Sequence, residues 1–252
     1  GQKVPAVAHM ELAAGAFGVT CAKLGEAEVM ASSGIKDILI ANQVVGAEKV
    51  TRLANLRKHA DVMVAVDSVE NAAPIDAAAR EKGVRIRVLI EVDTGMHRAG
   101  VAPCEPALAL AKKLSDMPGL QFAGVMGWEG HALTEKDQVK KRHMVEKAVG
   151  SLVETARMCR AAGLPADIVS CGGTGTYFYT AEVPGVTEIQ AGGGIFHDLT
   201  YRDKFGLADH EFAMTLMTTV TSRPTPTRII CDAGKKGMSS DASVPQPIID
   251  AK

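Results

Sequence analysis

The feature that most constrains the fold is a regular alternation of short β-branched runs with helix-like segments. Seven runs are predicted strands, at Phe17–Cys21, Asp37–Ala41, Val62–Val66, Arg87–Val92, Phe122–Met126, Asp167–Cys171 and Thr187–Gln190. The predicted helices between and around them are Pro5–Ala14, Leu24–Ser32, Ala47–His59, Ser68–Lys82, Glu105–Ser115 and Glu135–Ala162. Such alternation is typical of a parallel sheet with right-handed crossovers.

The number of strands leaves two architectures open. A closed (β/α)8 TIM-type barrel needs eight strands, and the helix-like stretch Pro5–Ala14 has no strand before it. A barrel lacking its first strand explains both facts. An open doubly wound sheet would tolerate seven strands, and periodicity alone does not separate the two.

The texture of the sequence changes after Gly206. Glu211–Ser222 is rich in Thr, Met and Val, and Arg228–Cys231 is another β-like run, but no helix lies between them. Prolines interrupt the remainder. We therefore predict two domains, with an α/β barrel over residues 1–206 and the beginning of a C-terminal β domain over residues 207–252.

Composition argues against several classes of partner. The 28 basic and 29 acidic residues give a net charge of −1, whereas a nucleic-acid-binding protein normally carries a basic surplus. No apolar run approaches the roughly 18 residues of a membrane span. The five cysteines are scattered without a CxxC pair, which is typical of reduced thiols in a cytoplasmic protein.

The segment Glu91–Gly100 has the composition of a strand end followed by a tight turn. A carboxylate ends the strand, the chain turns through Gly95, and Arg98 follows. Active sites of parallel barrels lie where strands end, and an arginine there can donate to an anionic oxygen without losing its charge. The alternative is an ordinary surface arginine.

Two glycine-rich segments follow the last two predicted strands. The first is Ser170–Tyr177 and the second is Gln190–Asp198. Glycines let successive backbone N–H groups converge on an anion, and hydroxyls add donors. Either segment alone could be a tight turn. Because barrels commonly bind phosphate after their last two strands, the pair predicts a phosphate-bearing ligand.

A third candidate segment is Gly127–His131. Trp128 is the only tryptophan, and it could flank a planar ring or close the end of the barrel. Glu129 and His131 are candidates for proton transfer, although a lone histidine is more often structural. Asn42 and Gln43 also end a strand and could simply cap the next helix.

These segments together resemble a known family of pyridoxal 5′-phosphate (PLP) enzymes. Asp93–Gly100 is similar to the DTGMxRxG segment of alanine racemases. Other stretches resemble D-threonine aldolases and their D-serine dehydratase relatives, namely Thr20–Glu28, Ile38–Gln43, Gly127–His131, Gly172–Tyr177 and Glu188–Gly192. The resemblance implies a fold-type III barrel, of the alanine racemase N-terminal type, with a C-terminal β domain.

The resemblance also implies cofactor-binding roles. Phosphate would be bound by Gly173, Thr174, Gly192 and Gly193, with Ser170 and Tyr177 nearby. Arg98 matches the arginine that faces the phenolic oxygen of the cofactor, and Gln190 stands where racemases carry an arginine against the pyridine nitrogen.

Two departures from the family pattern concern the two ends of the sequence. Lys3 matches the second lysine of the family segment PHxKxHK, and Gln2 replaces its histidine, so the lysine that forms the Schiff base is expected upstream of Gly1. The ligands of a divalent metal of the Mn or Zn type are expected beyond Lys252, and His131 or Asp198 could neighbour that site.

The activity implied is that of a metal-dependent lyase, cleaving a small D-configured β-hydroxy-α-amino acid to glycine and an aldehyde. One alternative is a D-serine dehydratase-like elimination to a keto acid and ammonia. Another is a non-catalytic PLP-binding protein. The expected assembly is a homodimer without nucleic-acid or membrane partners, and the chain without its lysine is expected to be inactive.

Overall fold

The computed structural model describes residues 4–235, 237–239 and 246–247, so Gln2 and Lys3 lie outside the described residues. The chain divides into two compact units, Gly1–Gly192 and Gly193–Lys252. The first unit contains seven strands: β1 Val19–Cys21, β2 Asp37–Gln43, β3 Asp61–Val66, β4 Ile86–Glu91, β5 Leu120–Met126, β6 Ile168–Cys171 and β7 Glu188–Ile189. Its α-helices are α1 Pro5–Ala13, α2 Leu24–Ser32, α3 Ala47–Leu56, α4 Val69–Glu81, α5 Glu105–Ser115, α6 Gln138–Ala161 and α7 Tyr177–Thr180.

The strands form one parallel sheet whose spatial order equals their order in the sequence. Val19 pairs with Ile38, for example, and Ser170 pairs with Glu188 at the other end of the sheet. A doubly wound sheet would instead reverse direction in the middle of its strand order. The seven strands therefore form part of a barrel with helices around it, and the predicted barrel-type fold is confirmed.

Alternation of side chains along each strand separates two apolar layers. Val62, Val64 and Val66 of β3 pack in the large core shared with the helices. Met63 and Ala65 instead join a small cluster on the opposite face of the sheet. Successive side chains of a strand point to opposite faces, so a run that is apolar throughout is the pattern of a strand buried on both.

The second unit begins with a 3₁₀ turn at Gly193–Ile195 and helix α8 at Leu199–Asp203. The Asp198 side chain caps α8 by accepting from the backbone N–H groups of Thr200 and Tyr201. An antiparallel hairpin of β8 Val220–Thr225 and β9 Arg228–Cys231 follows.

The division into units lies at Gly192, 14 residues before the predicted domain boundary at Gly206, which stays a prediction. Backbone hydrogen bonds connect residues on the two sides of Gly206, because the N–H of Leu207 donates to Tyr201 and that of Ala213 to Phe196. The predicted β-like run at Glu211–Ser222 is also shorter than expected. Its strand begins only at Val220, where β9 provides a partner.

No helix in the described part of the chain is long and apolar enough to cross a membrane.

Candidate active site at the C-terminal ends of the strands

The predicted site residues of the first unit lie at or just beyond the C-terminal ends of β4, β5, β6 and β7. Parallel strands end at the same rim of the sheet, so residues far apart in sequence come together there. One buried carboxylate after β5, that of Glu129, connects to the segment after β6. Another, that of Glu91 at the end of β4, connects to β2.

The turn after β4 is fixed by the side chain of Asp93. Its carboxylate accepts from the backbone N–H groups of Gly95 and His97, each at 2.9 Å. Burial alone would raise the pKa of Asp93, but these two hydrogen bonds and the His97 ring hold it below its usual value. Gly95 has φ +119°, and a Cβ there would lie 3.0 Å from Cε1 of His131. The turn is therefore rigid, and it places Arg98 at the rim.

Arg98 is held between a carboxylate and an aromatic ring. Its guanidinium lies 3.6 Å from Oε1 of Glu91, and its Cζ lies 5.3 Å from the centre of the Trp128 ring. Glu91 is buried, and its other oxygen accepts from Nε2 of Gln43 at 2.6 Å. Helix α3 instead begins at Ala47, and the preceding Gly46 provides no side-chain cap. Gln43 therefore contacts the candidate site through Glu91, whereas its position before a helix had also allowed a role as a helix cap.

The glycine-rich segment after β6 folds into a closed loop. The backbone N–H groups of Thr176 and Tyr177 donate to the carbonyl of Gly173 at 3.0 and 2.9 Å. The hydroxyl of Thr176 donates to Oε1 of Glu129 at 2.6 Å, and the N–H of Gly172 donates to Oε2 at 3.3 Å. Thr174 is buried in the same loop, and Tyr177 begins α7.

The loop fits an anionic group such as the phosphate of PLP. Gly175 is buried, and its backbone N–H has no acceptor among the residues that the structure describes. A Cβ on Gly173 would lie 2.8 Å from Nε1 of Trp128, so this glycine lets the loop approach the indole. An unsatisfied buried donor is costly, and an anion accepting from it removes that cost.

Gln190 and Ser170 make direct contact at the ends of the last two strands. Nε2 of Gln190 donates to the Ser170 hydroxyl at 2.7 Å. Glu188 stands opposite Ser170 in the sheet, and burial raises the pKa of its carboxyl, which a hydrogen bond from Ser170 opposes. A neutral amide therefore lies against the Ser170 hydroxyl at this rim of the sheet.

Trp128 and His131 cover the ends of β4 and β5. The Trp128 ring lies close to Gly130. The backbone carbonyl of Trp128 accepts from the Thr94 hydroxyl at 3.3 Å. Nδ1 of His131 is buried and has no hydrogen-bond partner in the described part of the chain. The predicted role of His131 in proton transfer stays a prediction.

The second glycine-rich segment spans the boundary between the two units. Gly192 ends the first unit, and Gly193 begins the second. Within the second unit, a Cβ on Gly193 would collide with the ring of Tyr201, so a side chain is excluded there. Their predicted role in binding phosphate stays a prediction.

No group of three or more His, Cys, Asp or Glu side chains that could hold a metal ion occurs among the described residues. The metal ligands were expected beyond Lys252, so no residue is assigned to a metal.

The comparisons with known proteins agree with this geometry. The family model of the alanine racemase N-terminal domain matches residues 1–199, and a model for a serine dehydratase domain matches residues 213–251. A D-threonine aldolase from Arthrobacter sp is 34% identical over 96% of this chain, and a 3-hydroxy-D-aspartate aldolase from Paracoccus denitrificans is 34% identical over 92%. The chain spans 65% and 62% of these relatives' lengths.

A solved relative carries the same fold over nearly the whole chain. The crystal structure of a D-threonine aldolase from Filomicrobium marinum superimposes with a TM-score of 0.93 at 33% identity, covering 98% of this chain and 67% of the relative. The resemblance expected from the sequence is thereby confirmed. The chain belongs to the alanine racemase N-terminal domain family.

Proposed function

We propose that the chain forms the cofactor-binding barrel of a PLP-dependent lyase that cleaves D-configured β-hydroxy-α-amino acids to glycine and an aldehyde. The observation that carries the proposal is the pairing of the anion-binding loop Gly172–Thr176 with the neutral contact between Gln190 and Ser170. Relatives at 33–34% identity are described as D-threonine aldolase and 3-hydroxy-D-aspartate aldolase, which supports this class of reaction.

The reaction breaks the Cα–Cβ bond of the substrate. The β-hydroxyl loses its proton to a base, Cβ becomes the carbonyl carbon of the aldehyde, and Cα takes up a proton to give glycine. Bound PLP would supply the electron sink for the pair that Cα retains. Gln190 carries no charge, and this sets it apart from the guanidinium of racemases.

Other residues bind and orient. Gly173, Thr174 and Gly175 would hold the phosphate, and Arg98, fixed by Glu91 and Trp128, would donate to an anionic ring oxygen. His131 is the candidate for holding or moving the hydroxyl proton, because its Nδ1 has no partner in the described part of the chain.

Dependence on a divalent metal of the Mn or Zn type belongs to the same proposal. A variant of a D-threo-3-hydroxyaspartate dehydratase was solved in a form described as metal-free. The described residues provide no cluster for such an ion, so no step is assigned to it. A cytoplasmic homodimer that binds a small D-amino acid, with no nucleic-acid partner, completes the proposal.

Elimination is the second candidate, and a specific observation favours it. The Delftia dehydratase is 35% identical over 93% of this chain, and residues 213–251 match a serine dehydratase domain. Elimination would break the Cα–H and Cβ–O bonds with loss of water, and hydrolysis of the resulting enamine would release ammonia and a keto acid.

Product analysis separates these functions. The protein extended at both ends, so that it includes the Schiff-base lysine and the metal ligands expected there, is incubated with PLP, Mn²⁺ and D-threonine, and the products are measured by chromatography. Equal amounts of glycine and acetaldehyde support the proposal. Formation of 2-oxobutanoate and ammonia establishes elimination instead, and PLP binding without either product pair establishes a non-catalytic binding protein.

Borohydride reduction with PLP, followed by mass spectrometry, tests where the lysine lies. We expect reversible PLP binding without a specific lysine adduct in this chain. An adduct confined to Lys3 would overturn the assignment of the Schiff-base lysine to a position upstream of Gly1.

A further inference from the structure

Glu129 carries a buried carboxylate at the end of β5, and only 1% of the residue is exposed. It forms no ion pair with any residue that the structure describes. Removing a carboxylate from water is costly unless hydrogen bonds replace the lost hydration. The partners that replace it therefore show what this residue does.

The three hydrogen-bond partners of the Glu129 carboxylate among the described residues belong to the segment that follows β6. Oε1 accepts from the hydroxyls of Thr176 at 2.6 Å and Thr180 at 2.7 Å, and Oε2 accepts from the backbone N–H of Gly172 at 3.3 Å. The three donors span the whole glycine-rich loop and reach the last residue of α7. Burial, together with this charge, raises the pKa of the neighbouring Cys171 thiol, which keeps the thiol protonated.

We propose that Glu129 is a positioning residue whose carboxylate fixes the loop Gly172–Thr176 in its anion-binding conformation. The inference deepens the proposed function and rests on it. Gly172 has φ +80°, a left-handed conformation, and its N–H donates to Oε2 of Glu129. The hydroxyl of Thr176 meanwhile also contacts the N–H of Gly173 at 3.3 Å.

The number of acceptors explains why a carboxylate is required. A glutamine has one acceptor oxygen, which can still serve the two threonine hydroxyls, but its NH₂ group would then face the N–H of Gly172. Glu129→Gln therefore places the glutamine NH₂ group against the N–H of Gly172, where the loop begins. Thr180→Val removes one donor and leaves the shape nearly unchanged, and Thr180→Ser retains the hydroxyl.

Comparing two ligands separates positioning from general stability. The dissociation constants of PLP and of pyridoxal, which lacks the phosphate, are measured on the full chain by quenching of Trp128 fluorescence. Glu129→Gln should weaken PLP binding by roughly tenfold, the low end for a lost charge-assisted hydrogen bond, and leave pyridoxal binding unchanged. Thr180→Val should weaken PLP binding in the same selective way, and Thr180→Ser should restore it.

Thr155→Val is the matched control. Thr155 is fully buried in α6, and its hydroxyl oxygen accepts from the N–H of Cys104 at 2.8 Å. This variant should lose stability without changing the ratio of the two affinities. If Glu129→Gln leaves the ratio of the PLP and pyridoxal dissociation constants unchanged, the positioning role is overturned. If the unsubstituted chain binds PLP no tighter than pyridoxal, the phosphate site of the proposed function fails as well.

Discussion

Gly173→Ala tests whether the loop after β6 and the indole of Trp128 are packed as closely as the structure shows. The added Cβ would lie 2.8 Å from Nε1 of Trp128, whereas carbon and nitrogen atoms normally approach to about 3.5 Å. One of the two groups must therefore move by about 0.7 Å. Overfilling a packed site of this kind costs about 1–3 kcal/mol.

The indole has little freedom to move away. Its ring lies against Gly130 on one side, and the guanidinium of Arg98 stacks at 5.3 Å from the ring centre. We expect the free energy of unfolding to fall by about 2 kcal/mol, and PLP affinity to fall with it, because the loop must shift.

Tryptophan fluorescence measures this change directly, since Trp128 is the only tryptophan of the chain. Urea denaturation is followed by the same signal. Gly150→Ala is the control, because Gly150 lies within α6 and an added Cβ would meet no atom within 4 Å apart from its chain neighbours and the local helix backbone. It should gain up to about 1 kcal/mol from helix propensity. If Gly173→Ala leaves both the emission maximum and the stability unchanged, the close packing of loop and indole is refuted.

Three further predictions concern buried ionisable groups. Asp76→Ala should lower the free energy of unfolding in urea by about 2 kcal/mol, because Oδ1 accepts the buried N–H of Gly119 at 2.7 Å; Asp76→Asn, which keeps an acceptor, should cost less. Burial lowers the pKa of Lys141, so the free energy of unfolding should rise with pH just below the usual lysine pKa of about 10.4. Lys141→Met should abolish that rise. A free energy of unfolding of the unsubstituted chain that does not change with pH in this range would contradict the prediction. Burial raises the pKa of Glu188, so the protonated carboxyl stabilises the fold below the unfolded-state pKa of about 4.3, and this stabilisation is lost as pH rises through the folded-state pKa. In thermal melts over this pH range, Glu188→Gln should lose less stability than the unsubstituted chain. Equal losses in the two proteins would contradict the raised pKa.

The fold was predictable from sequence because its signals are local. The bounds of α2 and α5 agree to the residue with the prediction, since apolar periodicity and the residues at helix ends are contained in each segment. Strand edges were less accurate: β1 begins at Val19 rather than Phe17, because only residues with a partner strand are held in the sheet. Helix α7 was missed because four residues carry no periodicity.

The candidate site was predictable only in part. Arg98, Ser170 and Gln190 lie at strand ends as expected, because turns and glycines mark those positions in the sequence. The partners were not predictable: Gln43 reaches Glu91 across 48 residues, and Thr180 reaches Glu129 across 51. Such contacts depend on strand register, which no local pattern encodes. The available signals for Gln43 were its place at the end of a predicted strand and the resemblance of Ile38–Gln43 to the family.

The equality of spatial and sequence order in the sheet has a consequence for how the chain folds. Each strand from β2 to β7 pairs with the strand before it, so every pairing closes only the length of one crossover. Closing a short loop costs less entropy than joining distant segments, and folds rich in such contacts form faster. The sheet can therefore grow one strand at a time, with each new strand pairing onto an edge that already exists.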